Sequence, residues 1–326
     1  MSQVLVPHSS PAPVPTDLGR LGRLGQLRPV ARTVRDCLRE ARPLVQVMFV
    51  LRFVTGALLT ASAAHHRVDL VHLLLGAVAW WAATVSVYIF NGVSDLREDR
   101  ANRSERPLAS GQLGESAARR AVALTALAGL VLGCAAGWEV AESAAVFLVL
   151  GYVYSAPSIA AKCRSWSASA VTCAAAGTTY LAGVAASGSA LTAEAAVFAV
   201  VLSLGVGLIA AVAKDLGSTR GDSLAGRRTL AVVRGEHSAR RFCASSGVAL
   251  TLILTAGAVW VRELPLEAAA VVFAVGALCV AGHCVAVRRD RPRAPYRSWM
   301  VTQYAVHLTA LGALLWAWVP EHPKGP

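Results

Sequence analysis

Apolar runs of about 20 residues, the length a helix needs to cross a bilayer, recur along most of this chain. They fall near 44–64, 70–91, 119–137, 141–158, 167–187, 191–213, 241–261, 266–287 and 298–319. In lipid, every backbone N–H and C=O has to be satisfied within its own segment, so each run is expected to be a helix. The fold class that follows is all-α, a polytopic membrane bundle of about nine transmembrane helices. Composition agrees: 15% of the 326 residues are charged and 55% are hydrophobic, whereas a soluble domain carries about a quarter charged residues. The net charge of +12 does not point to nucleic acid, because the basic residues sit in short blocks between apolar runs rather than on one soluble face.

Those blocks orient the bundle. The tail 1–43 carries Arg20, Arg23, Arg28, Arg32, Arg35, Arg39 and Arg42, and the connections 92–120, 159–166, 214–241 and 288–297 are basic as well. The alternate connections hold only Arg67, Arg262 and Lys324, with Arg52 early in the first run. This asymmetry places the N-terminus and the basic connections in the cytoplasm of a cell-membrane protein. Nine crossings then put the C-terminus outside. Trp166 and Trp299 at cytoplasmic helix starts, and Trp138, Trp260, Trp316 and Trp318 near outer ends, are expected at the two interfaces. Trp80 and Trp81 fall in mid-span, and at least one of them should face the bundle interior or lipid.

Residues 1–43 form a separate segment. Ser9-Ser10-Pro11-Ala12-Pro13 reads as disordered, and 28–43 as an amphipathic helix on anionic lipid. No apolar core with a small-residue cleavage site lies where a secretory signal needs one. The seven cysteines form no CxxC pair and read as small buried hydrophobes, with neither a zinc site nor a disulfide framework. His65, His66, Glu139 and Glu142 read as outer-loop residues. Cys279 and His283 read as a packed thiol and a hydrogen-bonded ring, and His307 as bonding to a neighbouring helix. No Walker loop, dinucleotide glycine pattern or nucleophile elbow is present.

The chemistry gathers at two helix ends. Asn91, Asp95 and Asp99 are spaced by four at the end of the second run, so a continuing helix would set them on one face. Asp215 and Asp222, with Ser218 between them, follow the sixth run. Carboxylates at a helix C-terminus repel one another and the dipole, so a cation has to compensate. Neighbouring arginines could serve for either cluster alone. Two clusters at equivalent ends on one side suit a hard divalent cation, and magnesium fits because it shares its shell with phosphate oxygens. The nearby Arg106, Lys162 and Arg164 suit an anionic phosphate ligand.

With these motifs the sequence resembles the UbiA-type intramembrane prenyltransferase family, which has a terpene cyclase branch. The family pattern N-D-x-x-D-x-x-x-D is met by Asn91, Asp95 and Asp99. R-P-x-x-S-G is met by Arg106, Pro107, Ser110 and Gly111, and Y-S-x-P with a following Lys by Tyr154, Ser155, Pro157 and Lys162. D-x-x-D-x-x-G-D with G-x-x-T-L is met by Asp215, Gly221 and Asp222, then Gly226, Thr229 and Leu230. Gly92 and Ser218 stand where the family usually has aspartates. The resemblance covers residue 44 to the end and implies a catalytic domain of nine helices, 44–326, around a central cavity. It implies Mg2+ held by Asn91, Asp95, Asp99, Asp215 and Asp222, the four aspartates being catalytic. It also implies an isoprenyl diphosphate held by Arg106, Lys162, Arg164 and Lys214, with Tyr154 and Ser155 in the substrate cavity. The implied activity, within isoprenoid biosynthesis, is prenyl transfer to an aromatic or other small acceptor. The alternative is cyclisation of the prenyl chain. A transporter or binding protein is the reading from another class.

Overall fold

A computed structural model describes residues 30–287 and 290–318. The Ser/Pro-rich stretch lies outside the described residues. A short helix α1 (30–40) leads into α2 (Pro43–Ala63). Then come α3 (Leu70–Ser94), the short α4 (Leu96–Ala101), α5 (Glu115–Ala136), α6 (Trp138–Ser155) and α7 (Ser165–Ser187). The helix α8 (Ala193–Gly205) continues through a π-helical turn, Val206–Ala210, into Ala211–Ala213. A one-turn α9 (Thr219–Leu224), α10 (Leu230–Val261), α11 (Leu264–Val285) and α12 (Ala294–Trp318) complete the order.

The ends follow ordinary rules. Asp69 caps α3 by accepting from the N–H groups of Val71 and His72, Thr192 and Thr229 cap α8 and α10, and Pro43 occupies the first turn of α2. Gly235, at φ +83°, breaks α10 near its start.

Eight of the helices are long and apolar enough to cross a membrane. The ninth expected span differs: α6 has only 18 residues, and both Glu139 and Glu142 fall within them. The exposed Glu139 and Glu142 are therefore helical rather than loop residues. The helices still form a ring in chain order, α2–α3–α5–α6–α7–α8–α10–α11–α12, with α12 packing back on α2. Helix α7 also packs against α2 across the ring. That brace depends on two glycines. A Cβ on Gly183 would lie 1.9 Å from the carbonyl oxygen of Phe53, and one on Gly56 would lie 2.6 Å from that of Tyr180. Lipid offers no hydrophobic drive between helices, so close backbone approach of this kind is what holds them. His307 of α12 meets the Tyr180 hydroxyl of α7 at 2.7 Å, the expected bond to a neighbouring helix.

Leu74, Val78, Leu127, Val131, Val275 and Leu315 point outward, as a lipid-facing surface requires. Trp138, Trp260 and Trp316 are exposed near helix ends, and Trp80 is fully buried. Trp299 departs from the interfacial expectation. It is fully buried, and its ring lies where a Cβ on Gly205 would be. The cysteines depart in part: Cys37, Cys243 and Cys284 are buried, but Cys134 and Cys279 are exposed. His283 bonds the Cys279 carbonyl and Ser298.

The leading helix is amphipathic, but not simply as a lipid-surface helix would be. Arg32, Arg35 and Arg39 face out. Cys37 and Ala41 pack with Val85 and Ile89 of α3 and with Leu108, Leu113 and Ala118. Asp36 and Glu40 are buried on that same inner face.

Candidate active site

A cavity of about 700 Å³ opens at the end of the ring where α3 and α8 finish and α2 and α12 begin. Its mouth is polar. Asn91, Asp95, Glu98, Asp99, Asp215 and Asp222 line it, as do Arg42, Arg106, Lys162, Lys214, Arg227 and Arg293. Its interior is largely apolar, with Phe49, Phe147, Leu150, Val171, Ala175 and Val206 among the lining residues.

The helices do not carry the acidic residues as continuous faces. Helix α3 stops at Ser94, and Asp95 is the junction to α4. The Asp99 N–H still donates to the Asp95 carbonyl at 2.8 Å, so the first set stays in register. The second set does not share one helix. Helix α8 ends at Ala213, Gly217 turns the chain at φ +80°, and Asp222 sits on α9. A turn, rather than a seven-residue helical spacing, brings Asp215 and Asp222 to one cavity. Ser218, in the gap of the motif, donates to the Asp222 carboxylate at 2.8 Å.

Each cluster is tied to neighbouring cations. Lys162 pairs with Asp95. Arg106 bridges Asp99 at 2.9 Å and Glu40 at 2.7 Å. Arg227 reaches Glu98 at 2.7 Å and Asp222 at 3.9 Å, and so spans both clusters. The end of α6 braces the two sides: Asn91 donates to Ser155 at 3.1 Å, and Lys214 donates to the Tyr154 hydroxyl at 2.9 Å. Asp215 has its nearest cation, Lys214, at 3.9 Å. Burial pushes its carboxyl above the usual range and the Asp222 charge adds to this, against Lys214 and Arg227.

Of the residues picked from sequence, only Arg164 is not in the cavity lining. It is exposed, and its backbone pairs with Arg228 in an isolated bridge. Arg164 takes an extended conformation at the start of α7. Sequence reading passed over Glu98, Arg227, Arg293, Arg52 and Gln303, which all line the cavity. Glu98 had a signal, lying three residues after Asp95. Arg227 had none among the many basic residues of its connection.

Arg52 is a basic residue inside a span, and it is buried. It donates to Gln303 and lies 5.4 Å from the centre of the Phe49 ring. Among the described residues no carboxylate pairs with it, and its Nε–H has no acceptor.

A sequence model of the UbiA prenyltransferase family matches residues 50–319. The chain belongs to the UbiA prenyltransferase family. Its fold is that of the solved UbiA structures. A UbiA homologue from Archaeoglobus fulgidus bound to DMAPP and Mg2+ has a TM-score of 0.67 at 17% identity, over 86% of this chain and 99% of that one. A homologue from Aeropyrum pernix K1 gives 0.67 at 15% identity, over 81% and 96%. A structure of digeranylgeranylglyceryl phosphate synthase gives 0.66 at 16% identity, over 87% and 99%. No curated protein matches the sequence. The Archaeoglobus homologue is also known bound to GPP and Mg2+.

The UbiA chain's own donors fit magnesium. They are oxygens throughout, the right kind for a hard cation. Among the described residues no three Asp, Glu, His or Cys side chains gather around one point. A metal here would take one or two carboxylates and complete its shell from phosphate and water, as magnesium habitually does. Asp215 is half-buried, with its nearest cation, Lys214, at 3.9 Å.

Proposed function

We propose that this chain is a magnesium-dependent prenyltransferase that ionises an isoprenyl diphosphate and passes the prenyl group to a small acceptor. The observation that carries it is one cavity that is acidic and basic at its mouth and largely apolar below. Asn91, Asp95, Asp99, Asp215 and Asp222 are the residues from which magnesium would draw its one or two protein ligands at each position, and when bound it would neutralise the leaving diphosphate. Arg106, Lys162 and Lys214 hold phosphate oxygens. Arg164 lies outside the cavity lining and is left out of this set. As the allylic C–O bond breaks, its electron pair goes to the diphosphate, and these cations stabilise the charge that builds there. The prenyl chain lies among Phe147, Leu150, Val171 and Ala175, which exclude water from the allylic cation. The acceptor captures that cation and then releases a proton.

Arg52 favours transfer over cyclisation. Arg52 is nine residues past Pro43 on α2, and Gln303 nine past Ala294 on α12. At the helical rise both lie roughly 14 Å below the mouth. An unneutralised guanidinium there repels a carbocation travelling along a folded prenyl chain. The same group, forked with the Gln303 amide, attracts an acceptor that brings negative charge or strong acceptor oxygens.

The site end also carries the basic connections, which supports a cytoplasmic site and N-terminus with the C-terminus outside. The test is product analysis with geranyl, farnesyl and geranylgeranyl diphosphates and magnesium, with and without aromatic acceptors. Prenylated acceptor is expected, and Asp95→Ala and Asp215→Ala should each lower turnover by about 100-fold or more. Full activity in either variant removes the metal role. A cyclic hydrocarbon or alcohol formed without acceptor makes the protein a cyclase, and binding without consumption makes it a carrier.

A further inference from the structure

Gly92 stands at the centre of the first cluster, and its missing side chain has a physical counterpart. An ideal Cβ on Gly92 would lie 2.1 Å from Oε1 of Glu40 and 2.8 Å from Nη2 of Arg106. Nothing larger than glycine fits while Glu40 is there. Glu40 comes from α1, more than fifty residues upstream, and has no solvent exposure. Its Oε1 pairs with Arg106 at 2.7 Å and its Oε2 accepts the Leu108 N–H at 3.0 Å. The backbone carbonyl of Glu40 takes a further contact from Arg106 at 3.5 Å. A buried carboxylate is costly unless paired and hydrogen-bonded; here Oε2 is hydrogen-bonded, while Oε1 has the Arg106 ion pair but no well-aligned hydrogen bond, so Arg106 is its one compensating contact among the described residues.

Arg106 therefore sits between two carboxylates, Asp99 on the cavity side and Glu40 behind. Their burdens differ. Asp99 lines the cavity and Glu40 does not. When Asp99 turns to a ligand in the cavity, only Glu40 still holds the guanidinium. We propose that Glu40 is a positioning residue of the site. It occupies in space the side-chain position that Gly92 leaves empty, and it fixes Arg106 toward the diphosphate. The leading helix is then part of the catalytic unit, with its outward arginines facing away and its inner carboxylate completing the first cluster. This rests on the prenyl diphosphate reading given above.

The experiment uses the full-length protein in detergent, with farnesyl diphosphate and magnesium as the probe. Glu40→Gln keeps the shape and removes the charge. It should raise KM for farnesyl diphosphate about tenfold, the scale of one charge-assisted hydrogen bond, and lower kcat as well, because Arg106 also meets the charge that builds on the leaving group. Gly92→Ala, which displaces the Glu40 carboxylate, should act in the same direction. Glu40→Ala combined with Gly92→Asp should restore KM to within about threefold of the parent, which Glu40→Ala alone does not. An unchanged KM in Glu40→Gln, or no rescue in the double variant, overturns the inference. A parent protein that neither consumes nor is stabilised by farnesyl diphosphate overturns the functional reading instead. The inference is then judged on melting temperatures of Glu40→Gln, Arg106→Gln and their combination: losses well short of additive support it, and additive losses overturn it.

Discussion

Arg52 shows how much one side chain can carry. A cation near the middle of a membrane helix costs about 2.5–3.5 kcal/mol on insertion scales, and such residues mark substrate paths or paired interiors. Here the partner is the neutral Gln303, so the charge is not cancelled within the described residues. If an acceptor cancels it, Arg52→Gln should raise the acceptor KM by about 10–100-fold, the worth of one or two charge-assisted bonds, and leave the prenyl diphosphate KM unchanged. Initial rates with each substrate varied in turn check this. A rise confined to the diphosphate KM would move Arg52 into the ionisation step instead.

At the scale of elements, the α2–α7 brace fixes how wide the cavity can be. Gly183→Ala sets a methyl group against the Phe53 carbonyl, and neither backbone can give way without opening the ring. A loss of about 1–3 kcal/mol is expected, as for overpacking elsewhere, visible as a lower melting temperature of the purified protein. Most of the elements were legible in the sequence because bilayer thickness sets a length that apolar runs must match. The first acidic set was legible for a similar reason: a spacing of four survives the small break at Asp95. What could not be read was long-range. Gly217 redirects the second set, but a glycine alone does not announce a turn inside a motif. Glu40 is one acidic residue in a basic tail, and only the packing of Cys37 and Ala41 on α3 carries it inward. Arg227 was one arginine among many until the fold set it between Glu98 and Asp222.

For the whole molecule, the nine-helix ring makes topology testable without turnover. A periplasmic-type phosphatase reporter fused after residue 326 should be active, and one fused in the 214–229 connection inactive. The reverse pattern would invert the orientation taken from the basic connections. The mouth of the ring has one more property. Lys162 with Asp95, Arg106 with Asp99, and Arg227 with Glu98 pair the cations of the mouth with carboxylates of the same chain. On the proposed function, a diphosphate would enter by exchange, opening pairs that close again behind it. The protein's carboxylates would then compete with the leaving group for the same lysine and arginines. Such internal competition would weaken the grip on inorganic diphosphate once the prenyl chain had gone, and so let the site empty.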